Sequence, residues 1–170
     1  MIDKRTALLD KLSDYVLAHG IGAASLRPMA KAAGTSDRML LYYFPDKDAL
    51  IEAVLTHIAG RLMAVFGDPA DLEKLPLEPL TEKIYSQMIS EPVWPYARLW
   101  LEMTALAASG DEKLKAIGGA IGRGFLEWGA GQLDCAEADR AGEAARLMIG
   151  VEGRLVLKSL GLDDVNAAAR

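Results

Sequence analysis

Leu8, Leu12, Tyr15 and Val16 recur at i, i+4, i+7 and i+8, with Lys4, Arg5, Asp10, Lys11 and Asp14 filling the polar positions around them. That spacing lays one apolar stripe along a helix, predicted over about residues 4–18 and stopped at Gly20. Ser25 stands as the N-cap of a second helix, Leu26–Ala33, in which Pro28 falls in the first turn, where no intrahelical N–H partner is lost. Gly34 ends it. Ser36 is the next N-cap, and a short helix over Asp37–Tyr43 is closed by Phe44-Pro45, because the residue before a proline is pushed out of the α region. A longer helix starts near Asp46 and carries Leu50, Val54, Ile58, Leu62 and Val65 on one stripe as far as Gly67-Asp68-Pro69.

Residues 67–79 (GDPADLEKLPLEP) hold three of the seven prolines and read as a loop with one turn of helix. Beyond them the pattern predicts helices at about 80–89, 94–108, 111–131 and 136–160, broken at Pro92/Pro95, Ser109-Gly110 and around Asp134, with the last ten residues fraying. Two stripes stand out, Ile117, Ile121, Phe125, Trp128 and Ala144, Met148, Val151, Leu155, and a two-fold dimer would bury both in a four-helix seam. Internal packing of the same stripes is the alternative. Glycines at 118, 119, 122, 124, 129 and 131 are unusual inside one helix. They imply a close helix approach, room for a ligand, or a break near Gly129-Ala130-Gly131.

Composition sharpens the fold class. Half the residues are hydrophobic (51%) but only 6% are aromatic, which favours packed helices over a sheet, so the chain is predicted to be all-α. Its 170 residues suffice for one sizeable core, or for a small module on a larger domain. A net charge of −5 argues at first against a nucleic-acid partner, but residues 1–58 carry seven basic and seven acidic side chains, so all the excess acidity lies in residues 59–170.

The single cysteine, Cys135, excludes an intramolecular disulfide and a cysteine zinc site, and the start MIDKRTALLD has no signal-sequence pattern, so a cytoplasmic location is expected. His57, Arg61, Glu102, Arg123 and Glu152 interrupt the apolar runs, so no membrane span is expected. His19 and His57 lie in no metal-binding or nucleophile motif, and Asp111-Glu112 and Asp163-Asp164 lie beside turns, where capping accounts for them. The chain is therefore not expected to be an enzyme, and neither cofactor nor metal is expected.

Two short helices joined by a three- or four-residue turn containing glycine form a helix-turn-helix, whose second helix enters the major groove of DNA. On Asp37–Tyr43, Leu40 and Phe44 are predicted to face the module's core with Leu12 and Met29, leaving Asp37, Arg38, Met39, Leu41 and Tyr42 outside. Arg38 is matched to guanine, Asp37 to cytosine N4 and Met39 to a thymine methyl. Tyr42 and Lys47 are placed to hold phosphates, Arg27 to reach the groove edge, and Ser36 completes the candidate DNA-binding set.

Residues 5–58 resemble the DNA-binding module of the TetR (tetracycline repressor) family, whose pattern runs from "A-K-A-A-G-V-S" to "L-Y-x-H-F-x-x-K-x-x-L"; this chain has AKAAGTS at 30–36 and LLYYFPDKDAL at 40–50. Leu41 stands where the family's tyrosine is usual, Met39 replaces a frequent threonine, and Asp37-Arg38 replaces a common Lys-Gly pair. The resemblance implies a three-helix helix-turn-helix domain over 1–48 and a helical ligand-binding and dimerisation domain over 49–170, linked by helix 46–66. It implies a homodimeric repressor on a pseudo-palindromic DNA operator, released by a small apolar or amphipathic effector. Pocket candidates are Met63, Phe66, Tyr85, Met88, Trp94, Tyr96, Trp100, Met103 and Trp128, with Arg98, Glu102 and Arg123 as orienting charges. A helical protein-interaction module without DNA affinity is the competing reading, favoured by the acidic balance.

Overall fold

A computed structural model describes residues 4–168, which form nine α-helices and one 3₁₀ turn, with no strand among the described residues. They divide into two compact units: one runs up to Val65 and includes Glu102–Gly118, and the other comprises Phe66–Leu101 and the residues from Gly119 onward.

In the first unit, α1 (Lys4–His19) is followed by α2 (Leu26–Ala33), α3 (Asp37–Tyr43) and α4 (Lys47–Phe66). Leu12, Met29, Leu40, Phe44 and Leu50 are almost completely buried and make the core of this unit. Ser25 occupies the N-cap of α2 with extended backbone, but its side chain makes no capping bond, contrary to the expectation from its type. Val65 also departs from the predicted stripe of α4: it is 53% exposed, and Phe66 is buried in its stead.

Lys47–Asp71 is long and apolar enough to span a membrane by length and composition only, with an 18-residue window of mean hydropathy 1.6, so His57 and Arg61 do not interrupt the apolar run as expected from the sequence. They tie α4 to α1 instead: His57 Nε2 donates to Asp10 at 2.7 Å and Arg61 to Asp14 at 2.8 Å.

The second unit holds α5 (Leu77–Met88) and α8 (Arg140–Ser159), which pack together, and the short α9 (Asp163–Ala168). The last ten residues were expected to fray; 169–170 lie outside the described residues, but Asn166 is buried, donating to Tyr85 Oη and to the Arg154 carbonyl, and this anchors α9. The α5–α8 contact carries an Arg154–Glu82 ion pair at 3.0 Å, with the Arg154 guanidinium 4.7 Å over the Tyr85 ring. Ala144, Val151 and Leu155 are buried here. The α8 stripe offered for a four-helix seam is thus largely used inside the protomer, and Ile149 and Val156, with Leu160 just past the end of α8, are large apolar residues left exposed.

Two further helices, α6 (Trp94–Ala108) and α7 (Glu112–Gln132), contribute residues to both units. No break occurs at Gly129: α7 runs on to Gln132, and the glycine lets α8 approach, since a Cβ there would lie 2.9 Å from Leu147. Arg140 then collects the carbonyls of Ala130, Leu133 and Cys135, so α8 starts at residue 140 rather than 136.

Candidate nucleic-acid interface

The turn between α2 and α3 is built by glycine chemistry. Gly34 takes the left-handed conformation (φ 69°, ψ 36°), its N–H donates to Lys31 O, and the Thr35 N–H reaches back to Ala30 O at 2.9 Å. These two bonds form a Schellman motif, which needs a residue at ease with positive φ at this position. Lys11 Nζ donates to Ala33 O at 3.3 Å and further satisfies the end of α2.

Ser36 then caps α3, its Oγ accepting from Met39 N at 3.3 Å. That leaves the serine hydroxyl its own proton to donate outward. At the far end Phe44 is extended (φ −131°, ψ 122°) before Pro45, and Asp46 Oδ1 accepts from Ala49 N at 2.8 Å to start α4. The two acids at this corner are therefore partly engaged: Asp46 caps the helix, and Asp48 pairs with Lys113, whose ammonium the carboxylate holds above its ordinary pKa. That pairing lessens the negative potential beside Lys47.

Arg27, Ser36, Asp37, Arg38, Met39, Tyr42 and Lys47 are all exposed, and Tyr42 is 77% exposed. Leu40 and Phe44 lie buried beneath α3. Tyr43 is half-buried and meets Tyr42 edge-on, with ring centroids 5.2 Å apart. One basic group joins from α1: the Arg5 guanidinium sits 5.1 Å over the Phe44 ring. A solvent-facing arginine, tyrosine and lysine around a buried apolar wedge suit phosphate and base-edge contacts.

The pocket candidates fall into several environments. Phe66 packs on Trp128, whose indole N–H donates to Gly67 O at 2.9 Å. Trp100 donates to Glu152 Oε2 at 2.8 Å and meets Phe125 edge-on, and a Cβ at Gly122 would touch both Trp100 and Met148. Burial pushes the Glu152 carboxyl above its ordinary pKa, while the Trp100 N–H acts the other way. Tyr85 is held by Arg154 and Asn166, Met88 is buried, and Trp94 and Tyr96 are half-buried. Met63 is half-buried and Met103 buried in the first unit, the latter against Gly118. Arg123 is exposed.

Glu102 is not placed among these aromatics. Its two oxygens accept from Ile21 N and Gly22 N, each at 3.0 Å. No local sequence signal announces a contact across some eighty residues. His19 stacks on Tyr15 and donates to its carbonyl, and Asp111 caps α7 by accepting from Leu114 N at 2.9 Å. Among the described residues, no three His, Cys, Asp or Glu side chains come together to hold a metal.

The model of the tetR family of bacterial regulatory proteins matches residues 15–54, spanning the end of α1 through the start of α4. The HTH-type transcriptional regulator BetI of Pseudomonas aeruginosa is 34% identical over 59 residues, 35% of this chain and 30% of the relative. BetI of Ectopseudomonas mendocina is 33% identical over 64 residues, 38% of this chain and 33% of the relative. The matched stretch thus spans about a third of these curated relatives.

Over most of the chain the fold is similar to that of a TetR transcriptional regulator from Legionella pneumophila (TM-score 0.71, 18% identity, 99% of this chain and 94% of that one). It is also similar to Salmonella enterica GusR (TM-score 0.66, 20% identity, 89% and 81%).

Proposed function

We propose that the chain, whose residues 15–54 match the tetR family of bacterial regulatory proteins, is a DNA-binding transcriptional regulator of that family, acting in the cytoplasm as a homodimeric repressor. The observation that carries this reading is the exposed set on α2, the turn and α3, presented over the buried Leu40 and Phe44. Arg38, Asp37 and Met39 read base edges, while Tyr42, Lys47, Ser36 and Arg27 hold the backbone. Two such heads on a two-fold dimer reach successive major grooves about 34–36 Å apart on a pseudo-palindromic operator.

The exposed apolar residues Ile149 and Val156 of α8, with Leu160 at its C-cap, supply surface for the two-fold contact. A small apolar or amphipathic effector acts by preferring a dimer geometry in which the heads are wrongly spaced, and it shifts the equilibrium only by its difference in affinity between the two geometries. Candidates to line its site are the second-unit residues Phe66, Tyr85, Met88, Trp94, Trp100 and Trp128.

Fluorescence anisotropy with a labelled fragment from upstream of the protein's own gene, against scrambled DNA at several salt concentrations, tests the reading. Saturable, sequence-dependent binding is expected, weakening steeply with salt. Arg38→Ala should weaken it by about 1–3 kcal/mol. If neither that fragment nor double-stranded DNA selected from a random pool binds specifically, the acidic, apolar surface instead serves a protein partner.

A further inference from the structure

Gly20-Ile21-Gly22 forms the turn between α1 and α2, and its hydrogen bonds divide into two sets. Gly20 N donates to Val16 O and finishes α1, while Ala24 N and Ser25 N donate to Ile21 O and Ala23 O within the turn. The N–H groups of Ile21 and Gly22 instead point at one carboxylate, that of Glu102 on α6, each at 3.0 Å. Two successive backbone N–H groups converging on one anion make a nest.

Two features favour glycine just before them. Gly20 has φ +84°, and a Cβ on it would lie 2.6 Å from Glu102 Oε2.

We propose that Glu102 is a positioning residue for the DNA-reading head: its carboxylate fixes the α1–α2 turn, and with it the start of α2, to α6. The proposal rests on the DNA-binding reading above. Ile21 and Ala24 are buried, so the turn is rooted in the core that carries Met29 and Leu40, and α2 begins only four residues after Gly22. The geometry is demanding, because both oxygens are engaged at once. One residue of helix advances 1.5 Å and turns about 100°, so a small slide or rotation of α6 releases both bonds together.

The test compares Glu102→Ala and Glu102→Gln with the wild type by two readouts. The first is amide hydrogen exchange at Ile21 and Gly22, expected to quicken about tenfold in Glu102→Ala and less in Glu102→Gln, which keeps one acceptor. The second is anisotropy with a labelled duplex selected by the wild-type protein from random DNA. Affinity is expected to fall about tenfold in Glu102→Ala while exchange at Leu40 stays protected, showing that the head remains folded.

Unchanged exchange at Ile21 and Gly22 would show that the bonds carry nothing, and would overturn the proposal. Faster exchange with unchanged DNA affinity would reduce Glu102 to a local stabiliser and overturn it equally. If the wild type selects no duplex, the DNA-binding function fails and this role fails with it, while the exchange data still report whether the clamp exists.

Discussion

Gly20 and Gly34 both sit at positive φ, +84° and +69°, but only one faces a carboxylate, and this difference makes a quantitative experiment. At Gly34 an added Cβ meets nothing within 4 Å. Alanine there suffers only the left-handed penalty of about 1–2 kcal/mol, offset by about 0.4–1 kcal/mol of lost unfolded-state freedom, for a net cost of about 1 kcal/mol. At Gly20 the same backbone term applies, and the Cβ must also displace Glu102 from 2.6 Å. The carboxylate is the end of a flexible side chain and will swing away, forfeiting both its bonds. Because the Gly22 N–H is exposed to water, that loss is worth about 1–2 kcal/mol for the pair rather than the full value for buried charged bonds.

Gly20→Ala should therefore cost about 2–3 kcal/mol in the wild type but about 1 kcal/mol in a Glu102→Ala background, a coupling of about 1–2 kcal/mol. Urea titration of the four proteins of this cycle, and of Gly34→Ala, followed by far-ultraviolet circular dichroism, measures it, with the denaturant slope checked for constancy. Equal costs of Gly20→Ala in both backgrounds would refute the argument, because the strain at Gly20 would then owe nothing to the carboxylate.

Leu40→Ala should cost about 2–5 kcal/mol, since the side chain is fully buried beneath α3, and a loss below 1 kcal/mol in the same titration would contradict that packing. For Glu152 the folded pKa is raised, so the folded state disfavours the charged form: stability is lowest above the folded value and is gained as pH falls through it toward the ordinary 4.5. Glu152→Gln keeps an acceptor for Trp100 and removes the charge, so it should be more stable than wild type at neutral pH, with the difference fading on acidification. A less stable variant at neutral pH would sink this account. Ile149→Glu places a charge on the exposed apolar face of α8 and should raise the dimer dissociation constant about a hundredfold or more in sedimentation, with an unchanged constant removing that face from the seam.

The head was legible in the sequence because its signals are local. Gly34, Ser36 and Phe44-Pro45 each act on their own few residues, and the bounds of α2 and α3 follow from them. The second half resisted for the opposite reason. On α8, periodicity marks both Ala144-Val151-Leu155 and Ile149-Val156 as apolar faces, and only the placement of α5 decides which one is covered. Glu102 looked like an orienting charge for a ligand because it shares a helix with Trp100 and Met103. Its actual partners are backbone groups of a distant turn, which leave no trace in residue type beyond the glycines themselves. The short α9 was missed because its anchor, Asn166, is a polar residue held by hydrogen bonds rather than by an apolar stripe.

All three tryptophans, Trp94, Trp100 and Trp128, fall in the second unit, while the first has Tyr15, Tyr42, Tyr43 and Phe44 but no tryptophan. Emission excited at the red edge, where tyrosine does not absorb, thus comes from one half of the molecule alone, with two of its indoles hydrogen-bonded to a carboxylate and to a carbonyl. Circular dichroism sums the helices of both halves. Set side by side during unfolding, the two signals coincide only if the halves melt as one. The unlabelled chain therefore carries its own optical gauge of how tightly the two halves are coupled.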